Sequence, residues 1–365
     1  MQVVFQHVFY TLTGFGTAAR EIAFAMDDLG VDVKLDVVNG RSRRLSPATV
    51  ERLQRLEQKP SSSDRILLTI HGLTASREYR KTVSCLMFET SKAPASYVSA
   101  INRFNGLIVP CELNRQMFRN GGVTIPIYVV PYGVDTQLFN PEGPARELGR
   151  GEGDYVFLSV FGWSARKGPD ILIQAFLREF TADDHVRLVI KTHDGSLLNL
   201  PRDWYERVAA GVPSPRPPRV EILTEDLTPE EIAMLYRSAD CYVMPSRGEA
   251  IGLPYLESMA SGLPVIATGW GGQMEFLGPE SGYLVPFQLV PAHPDQTSNL
   301  YQPDQLWAEV DEGALRAVMR RVYVMPEEGR AKGRAGRQVA EQWNWQRSGA
   351  GFVKALESIA GQSLR

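Results

Sequence analysis

The stretch SRGEAIGLPYLESMASGLPVIATGWGG, Ser246 to Gly272, decides the fold. It contains two glutamates, Glu249 and Glu257, and between them stands Pro254, a residue that favours the first turn of a helix. A helix that begins near Pro254 would carry Glu257 in its first turn and leave Glu249 in the loop before it. Gly252, within that loop, allows a close approach of the backbone to a ligand. The pattern predicts a ligand site with two carboxylates at one helix N-terminus.

On both sides of this stretch, short β-rich runs alternate with longer runs of helical periodicity, which is typical of parallel α/β architecture. VVFQHVF near the start of the chain and YVFLSVFG from Tyr155 each begin such a series, and each is followed by a glycine-bearing loop and a helix. The first of these helices is predicted over residues 17–29. Residues 141–154, PEGPARELGRGEGD, are rich in glycine, proline and charge, and we interpret them as a linker between two domains.

The length and composition of the chain argue against several classes of protein. A chain of 365 residues suits two domains, and its formal net charge of -3 argues against nucleic acid as a partner. Three widely spaced cysteines favour a reducing, cytoplasmic compartment over a disulfide framework. The sequence has no secretory-type start and no apolar run of ~20 residues, so we expect a soluble protein with at most peripheral membrane contact.

Three segments resemble the retaining glycosyltransferases of family 4. EAIGLPYLESMASGLPVIA, from Glu249, is similar to the family pattern EGFGLPxLEAMACGxPVVA with its Glu-x7-Glu signature. VPYGVDTQLFNP at 130–141 and WNWQRSGAGFVKALESI from Trp343 are similar to two further family segments. The resemblance implies the GT-B fold, an α/β architecture of two facing Rossmann-like domains with a C-terminal helix that crosses back to the first. The implied ranges are 1–145 for an acceptor-binding domain, 152–340 for a nucleotide-sugar-binding domain and 341–365 for the helix.

The resemblance also implies roles for residues of the second domain. Glu249 and the backbone after it would contact hydroxyls of the donor sugar, and Glu257 would hold the ribose. Lys167, in ARKGPDILIQAF, matches a family lysine that meets the donor diphosphate, and Arg166 is a candidate for a second positive charge. The family usually has an arginine where this chain has Trp163. The backbone contacts with the donor fall on Ala250, Ile251, Gly252 and Leu253.

In the first domain, TGFGTAARE places Gly14 and Gly16 before a helix, where the family's glycine-rich loop approaches the donor. Many family members have a catalytic-centre histidine after the fourth strand, and this chain has Glu89 there, in FETSKAP. His71, at the end of RILLTIH, is an alternative residue for the same role. Both assignments stay open.

The resemblance implies a retaining transfer of a hexose-type sugar from a UDP- or GDP-sugar to a sugar, glycolipid or other hydroxyl acceptor. No Asp-x-Asp motif occurs and the five histidines lack ligand spacing, so we expect neither a metal nor a cofactor. Two alternatives remain. One is an NAD-dependent oxidoreductase, because G-x-G-x-x-A with Asp36 further on imitates a dinucleotide fingerprint. The other is a nucleotide-sugar-binding protein without catalysis.

Two further features have open interpretations. Basic clusters in the first domain suggest an anionic or membrane-surface acceptor, although most charge clusters are only solvated faces. These clusters are Arg41, Arg43 and Arg44, and Arg77, Arg80 and Lys81. The segment 287–309 either covers the donor site or is a surface loop packed by Tyr301 and Trp307.

Overall fold

The computed structural model describes residues 1–38, 44–149, 151, 153–192, 200–212, 214–293 and 300–365. Arg41 and Arg43, and parts of the segments 141–154 and 287–309, lie outside these residues. The described strands are β1 Gln2–His7, β2 Val33–Val37, β3 Arg65–Ile70, β4 Lys81–Cys85, β5 Gly106–Val109, β6 Ile127–Val129, β7 Tyr155–Val160, β8 Val186–Lys191, β9 Arg219–Leu223, β10 Cys241–Met244, β11 Val265–Thr268, β12 Tyr283–Val285, β13 Phe287–Pro291 and β14 Leu306–Val310. The described helices are α1 Gly14–Asp28, α2 Pro47–Glu57, α3 Ala95–Ile101, α4 Glu112–Asn120, α5 Pro169–Glu179, α6 Leu200–Ala210, α7 Pro229–Arg237, α8 Leu253–Ala260, α9 Glu312–Val324, α10 Pro326–Ala340 and α11 Trp345–Ala360.

The chain divides into two compact units. The first unit comprises Met1–Gly133 and Trp343–Arg365, and the second comprises Val134–Gln342. The boundary therefore lies earlier than the predicted end of the first domain at residue 145. Residues 134–149 belong to the second unit because the guanidinium of Arg237, in α7, donates to the backbone carbonyls of Leu138, Asn140 and Pro144.

The first unit is a parallel six-stranded sheet in the order β2-β1-β3-β4-β5-β6. Strands β1, β3 and β5 contain continuous buried apolar runs, because both faces of the sheet are covered. The C-terminal helix α11 packs against α1, where a Cβ on Gly349 would come within 2.5 Å of the Ala25 Cβ. Asn344 caps α11, and the Ser348 hydroxyl donates to the Pro131 carbonyl. The helix thereby belongs to the core of the first unit.

The second unit has its own parallel sheet, in the order β12-β11-β10-β7-β8-β9. Strands β13 and β14 form a separate antiparallel hairpin in which Phe287 pairs with Val310. The hairpin carries Trp307, which is fully buried against the rings of His293 and Tyr301. Across the described parts of both units, no helix combines the length and apolar character needed to span a bilayer.

Candidate active site

The candidate site of the second unit lies at the carboxyl edge of its sheet. Strands β7 and β10 are parallel neighbours, so the loops that follow them leave the sheet on the same edge. The loop after β7 contains a short 3-10 turn, Ala165–Lys167, and Gly168 after it has φ of 69°. A Cβ on Gly168 would lie 2.3 Å from the carbonyl oxygen of Pro245. Only glycine fits this close approach, which brings the two loops into contact.

Glu249 is the centre of a buried ion cluster. Its Oε1 accepts from the Lys167 ammonium at 2.5 Å, from the Arg166 guanidinium at 3.2 Å and from the Ser246 hydroxyl at 2.8 Å. Arg166 also donates to the Gly248 carbonyl at 2.5 Å. The structure thus joins three of the sequence-predicted residues, although Glu249 stands more than eighty positions from Arg166 and Lys167 in the chain.

The charges in this cluster determine the protonation state of Glu249. Burial alone would raise the pKa of the Glu249 carboxyl, but the positive charges of Lys167 and Arg166, together with hydrogen bonds, hold that pKa below its usual value. Glu249 is therefore an ionised carboxylate at neutral pH. Two cationic side chains thus meet at one carboxylate, and cations of this kind can also bind an anionic ligand.

Glu257 lies further along α8 than expected. The helix begins at Leu253, after Gly252 at φ 74°, so Glu257 occupies the second turn and the predicted first-turn position is wrong. Its Oε2 accepts from the Tyr236 hydroxyl at 2.9 Å. Burial raises the pKa of Glu257 to about 7, although the Tyr236 hydrogen bond works in the opposite direction. Its charge therefore changes near neutral pH.

The backbone between the two glutamates is buried and held in place. Ala250, Ile251 and Gly252 precede the helix, and Leu253 is its first residue. A Cβ on Gly272 would come within 1.8 Å of the Ala250 carbonyl oxygen, and the Gly272 amide donates to the Glu249 carbonyl at 2.7 Å. The loop after β11 therefore fixes the loop that carries Glu249.

Trp163 stands where the family that the sequence resembles usually has an arginine. Its ring contacts the rings of Phe161 and Trp204, with centroid distances of 5.7 Å and 5.9 Å. The indole Nε1 is buried and has no hydrogen-bond partner among the described residues. An aromatic platform thus takes the place of a positive charge at the end of β7.

The remaining predicted residues lie in the first unit. Gly14 and Gly16 form the first turn of α1 itself, because Thr13 is the N-cap and its hydroxyl accepts from the Gly16 amide at 3.3 Å. The predicted start of this helix at residue 17 was therefore late. Glu89 follows β4 in a loop whose preceding residue, Phe88, exchanges two hydrogen bonds with the Asn114 side chain.

His71 directly follows β3 and has φ of 57°, an uncommon conformation for a residue other than glycine. Its ring contacts Phe15 at a centroid distance of 4.5 Å. Burial lowers the pKa of His71 to about 4, and burial together with the charge of His71 lowers that of His7 to about 4. Both imidazoles are neutral at pH 7.

Sequence reasoning missed Ser246, Tyr236 and Arg247. Ser246 orders the Glu249 carboxylate, and Tyr236 is the hydrogen-bond donor to Glu257. The only available signal was the nearness of Ser246 and Arg247 to Glu249 in the sequence. In the ranges that the structure describes, no group of three His, Cys, Asp or Glu residues is arranged to hold a metal ion.

The family model described as "Glycosyl transferases group 1" matches residues 152–302, so this segment of the second unit is similar to group 1 glycosyltransferases. A D-inositol 3-phosphate glycosyltransferase from Geodermatophilus obscurus is 36% identical over 155 residues, covering 40% of this chain and 33% of the relative. An alpha-monoglucosyldiacylglycerol synthase from Streptococcus pneumoniae is 30% identical over 173 residues, covering 45% and 37%. The matched region thus spans about a third of the length of these two relatives.

The solved structure of Anabaena HepE in complex with UDP-glucose is similar over nearly the whole chain. It covers 98% of this chain and 100% of that one, with a TM-score of 0.71 and 15% sequence identity. The likeness shows the fold: two Rossmann-like units with parallel sheets, as in GT-B glycosyltransferases. The predicted fold class is confirmed.

Proposed function

We propose that the protein is a retaining glycosyltransferase that transfers a hexose-type sugar from a UDP- or GDP-sugar to a hydroxyl acceptor without a metal ion. The observation that carries the proposal is the buried cluster of Glu249, Lys167 and Arg166 at the carboxyl edge of the second sheet. In this proposal the second unit holds the donor and the first unit holds the acceptor.

The cluster suits a diphosphate leaving group. Negative charge develops on the departing phosphate during transfer, and fixed cations in a buried site stabilise that charge without reorganisation. Lys167 and Arg166 supply these cations, so neutralisation of the leaving group does not depend on a metal. Glu249 would accept hydrogen bonds from hydroxyls of the sugar. Retention would follow from attack on the face that the phosphate leaves, with the phosphate taking up the acceptor proton.

The names of similar proteins support the substrate classes. The HepE structure contains UDP-glucose, and the pneumococcal relative is named for a glucosyl lipid. We infer a nucleotide-sugar donor and a sugar, glycolipid or other hydroxyl acceptor for this chain, in the cytoplasm or at the membrane periphery. Exposed Arg77 and Arg80 are candidates for contact with an anionic surface. Binding to anionic vesicles at low salt tests that contact, and a charge-removing Arg77→Gln, Arg80→Gln variant is the control.

A donor screen tests the function. Purified protein is incubated with UDP-glucose, GDP-mannose and related nucleotide sugars, with and without EDTA, and release of the nucleoside diphosphate is measured. We expect release from one donor class, unaffected by EDTA, and an α-linked product from an α-linked donor by NMR. Lys167→Gln should lower the rate by about tenfold to a hundredfold, as expected for loss of one charged contact to the developing charge. An inverted product would refute retention.

The two alternatives give different results. An oxidoreductase would bind NAD. Against this function, six residues separate β1 from Gly14, whereas the glycine-rich loop of a dinucleotide site follows its strand directly. A binding protein without catalysis would bind a nucleotide sugar tightly and release no diphosphate with any acceptor. Calorimetric titrations with NAD and with the selected donor, beside the release assay, distinguish these functions.

A further inference from the structure

Arg247 lies two residues before Glu249 and has a side chain that is only 7% exposed. Its guanidinium binds the Asp170 carboxylate through bonds of 2.9 Å and 2.7 Å, and the Glu309 carboxylate through bonds of 2.7 Å and 3.0 Å. A further bond of 2.5 Å reaches the Ala165 carbonyl. All the N–H donors of the guanidinium fork are thereby occupied.

The partners of Arg247 belong to three different parts of the second unit. Ala165 begins the turn that carries Arg166 and Lys167, Asp170 lies in the first turn of α5, and Glu309 lies on β14. The backbone of Arg247 also contacts the cationic turn and the hairpin. Its amide donates to the Arg166 carbonyl at 2.7 Å, and its carbonyl accepts from the Ala308 amide at 2.8 Å. One residue therefore joins the cationic turn, the Glu249 loop and the hairpin.

The positive charge of Arg247 is paired with carboxylates inside the protein. Burial would lower its pKa, but hydrogen bonds and charge interactions with Asp170 and Glu309 raise it, so the group stays protonated. The Trp307 ring, which is fully buried, lies 5.8 Å from the guanidinium carbon. With two carboxylates beside it, Arg247 has no positive charge to offer an anionic ligand. Its contribution to the site must be made through the residues that it holds.

We propose that Arg247 is a positioning residue for glycosyl transfer, and that Glu309 makes the β13–β14 hairpin part of the support of the donor site. The inference rests on the proposed function. Arg247 fixes the backbone of the turn, so Lys167 and Arg166 meet the diphosphate at a set distance from Glu249. A displacement of about 1 Å in such a group can lower a rate about a hundredfold.

The test compares Arg247→Lys with a matched control, Arg187→Lys. Arg187 is also buried and also bonds to backbone carbonyls, those of Leu148 and Gly149, and to the Glu221 carboxylate. It lies near the amino end of β8, whereas the site lies at the carboxyl edge of the sheet. We expect both variants to unfold at lower temperature. Only Arg247→Lys should lower kcat, by about tenfold to a hundredfold, and weaken binding of UDP or GDP.

Two further variants keep the proposal falsifiable if Arg247→Lys folds poorly. Glu309→Gln is isosteric and should lower kcat in the same direction by a smaller factor. In the Lys167→Gln background, Arg247→Lys should lower kcat by a smaller factor than in the wild type, because Arg247 acts through the lysine that this variant lacks. Full additivity, or an equal loss of kcat in Arg187→Lys, would overturn the proposal. If the wild type transfers no sugar from any donor, the proposed function itself has failed.

Discussion

Glu249→Gln should make the ligand-free protein less stable and yet strengthen its binding of a nucleoside diphosphate. Glu249 balances the charges of Lys167 and Arg166, and the side chains of all three are largely buried. Glutamine keeps the shape and can still accept hydrogen bonds, but it removes the negative charge. The two cations would then lose the carboxylate that both of them contact, and a bound anion would take its place.

The structure sets the size of both effects. Removing one partner of a buried ion pair costs about 3 to 5 kcal/mol. The lower value applies here because glutamine can still accept from Ser246, and it corresponds to about 6 to 12 °C in Tm for a unit of about 200 residues. A phosphate bound beside Lys167 would stand about 5 Å from the Glu249 carboxylate, a repulsion of about 3 kcal/mol at an effective dielectric constant of about 20. Solvent in the site screens part of this, so we expect about a tenfold gain in affinity.

Thermal unfolding and isothermal titration calorimetry with UDP and GDP measure the two effects on one sample. Saturating nucleotide should recover much of the lost Tm, since a ligand that binds only the folded state stabilises it. Glu221→Gln, which removes the partner of Arg187 elsewhere in the unit, is the control and should change stability without changing affinity. Transfer by Glu249→Gln should fall because the sugar hydroxyls lose a charged acceptor. Weaker nucleotide binding by Glu249→Gln would refute this reasoning.

Three other predictions follow from burial and close packing. Burial raises the pKa of Glu257 to about 7, so if the ionised carboxylate holds the ribose, nucleotide affinity should rise between pH 6 and 8 in the wild type and stay flat in Glu257→Gln, as measured by calorimetry. His7 and His71 have folded-state pKa values of about 4, which lie below the value in the unfolded chain. The free energy of unfolding should therefore fall as pH drops from about 6.5 to 4, by about 3 kcal/mol for one histidine. Urea unfolding should show a smaller fall in His7→Phe. Gly168→Ala should lower Tm and nucleotide affinity together in thermal-shift measurements, because its Cβ would meet the Pro245 carbonyl at 2.3 Å.

The alternation of strands and helices could be predicted from the sequence because strands buried on both faces are continuous apolar runs. The predicted positions of the helix ends were less accurate. Thr13 caps α1 earlier than the apolar periodicity indicates, and the left-handed Gly252 starts α8 early enough to move Glu257 into its second turn. Each shift comes from a capping conformation, which hydrophobic spacing does not encode.

The linker interpretation shows a different limit. Residues 141–149 have the composition of a linker, yet Arg237 and the backbone of Met234 satisfy carbonyl and amide groups at Pro144 and Arg146. Composition gives the intrinsic preference of a segment but not the partners that the rest of the chain provides. The bonds between Arg247 and Glu309 are equally invisible in the sequence, because 62 positions separate them and no periodicity relates them.

The Arg247 cluster and the Glu249 cluster of the second unit differ in the number of carboxylates around each cation, and that difference bears on which of them would meet a ligand in the proposed function. Arg247 faces two carboxylates, so its surroundings already carry an excess of negative charge. Lys167 and Arg166 both contact the Glu249 carboxylate at a sheet edge. A bound anion would be repelled by the two carboxylates beside Arg247. In the proposed function, Arg247 therefore shapes the turn, while Lys167 and Arg166 contact the diphosphate.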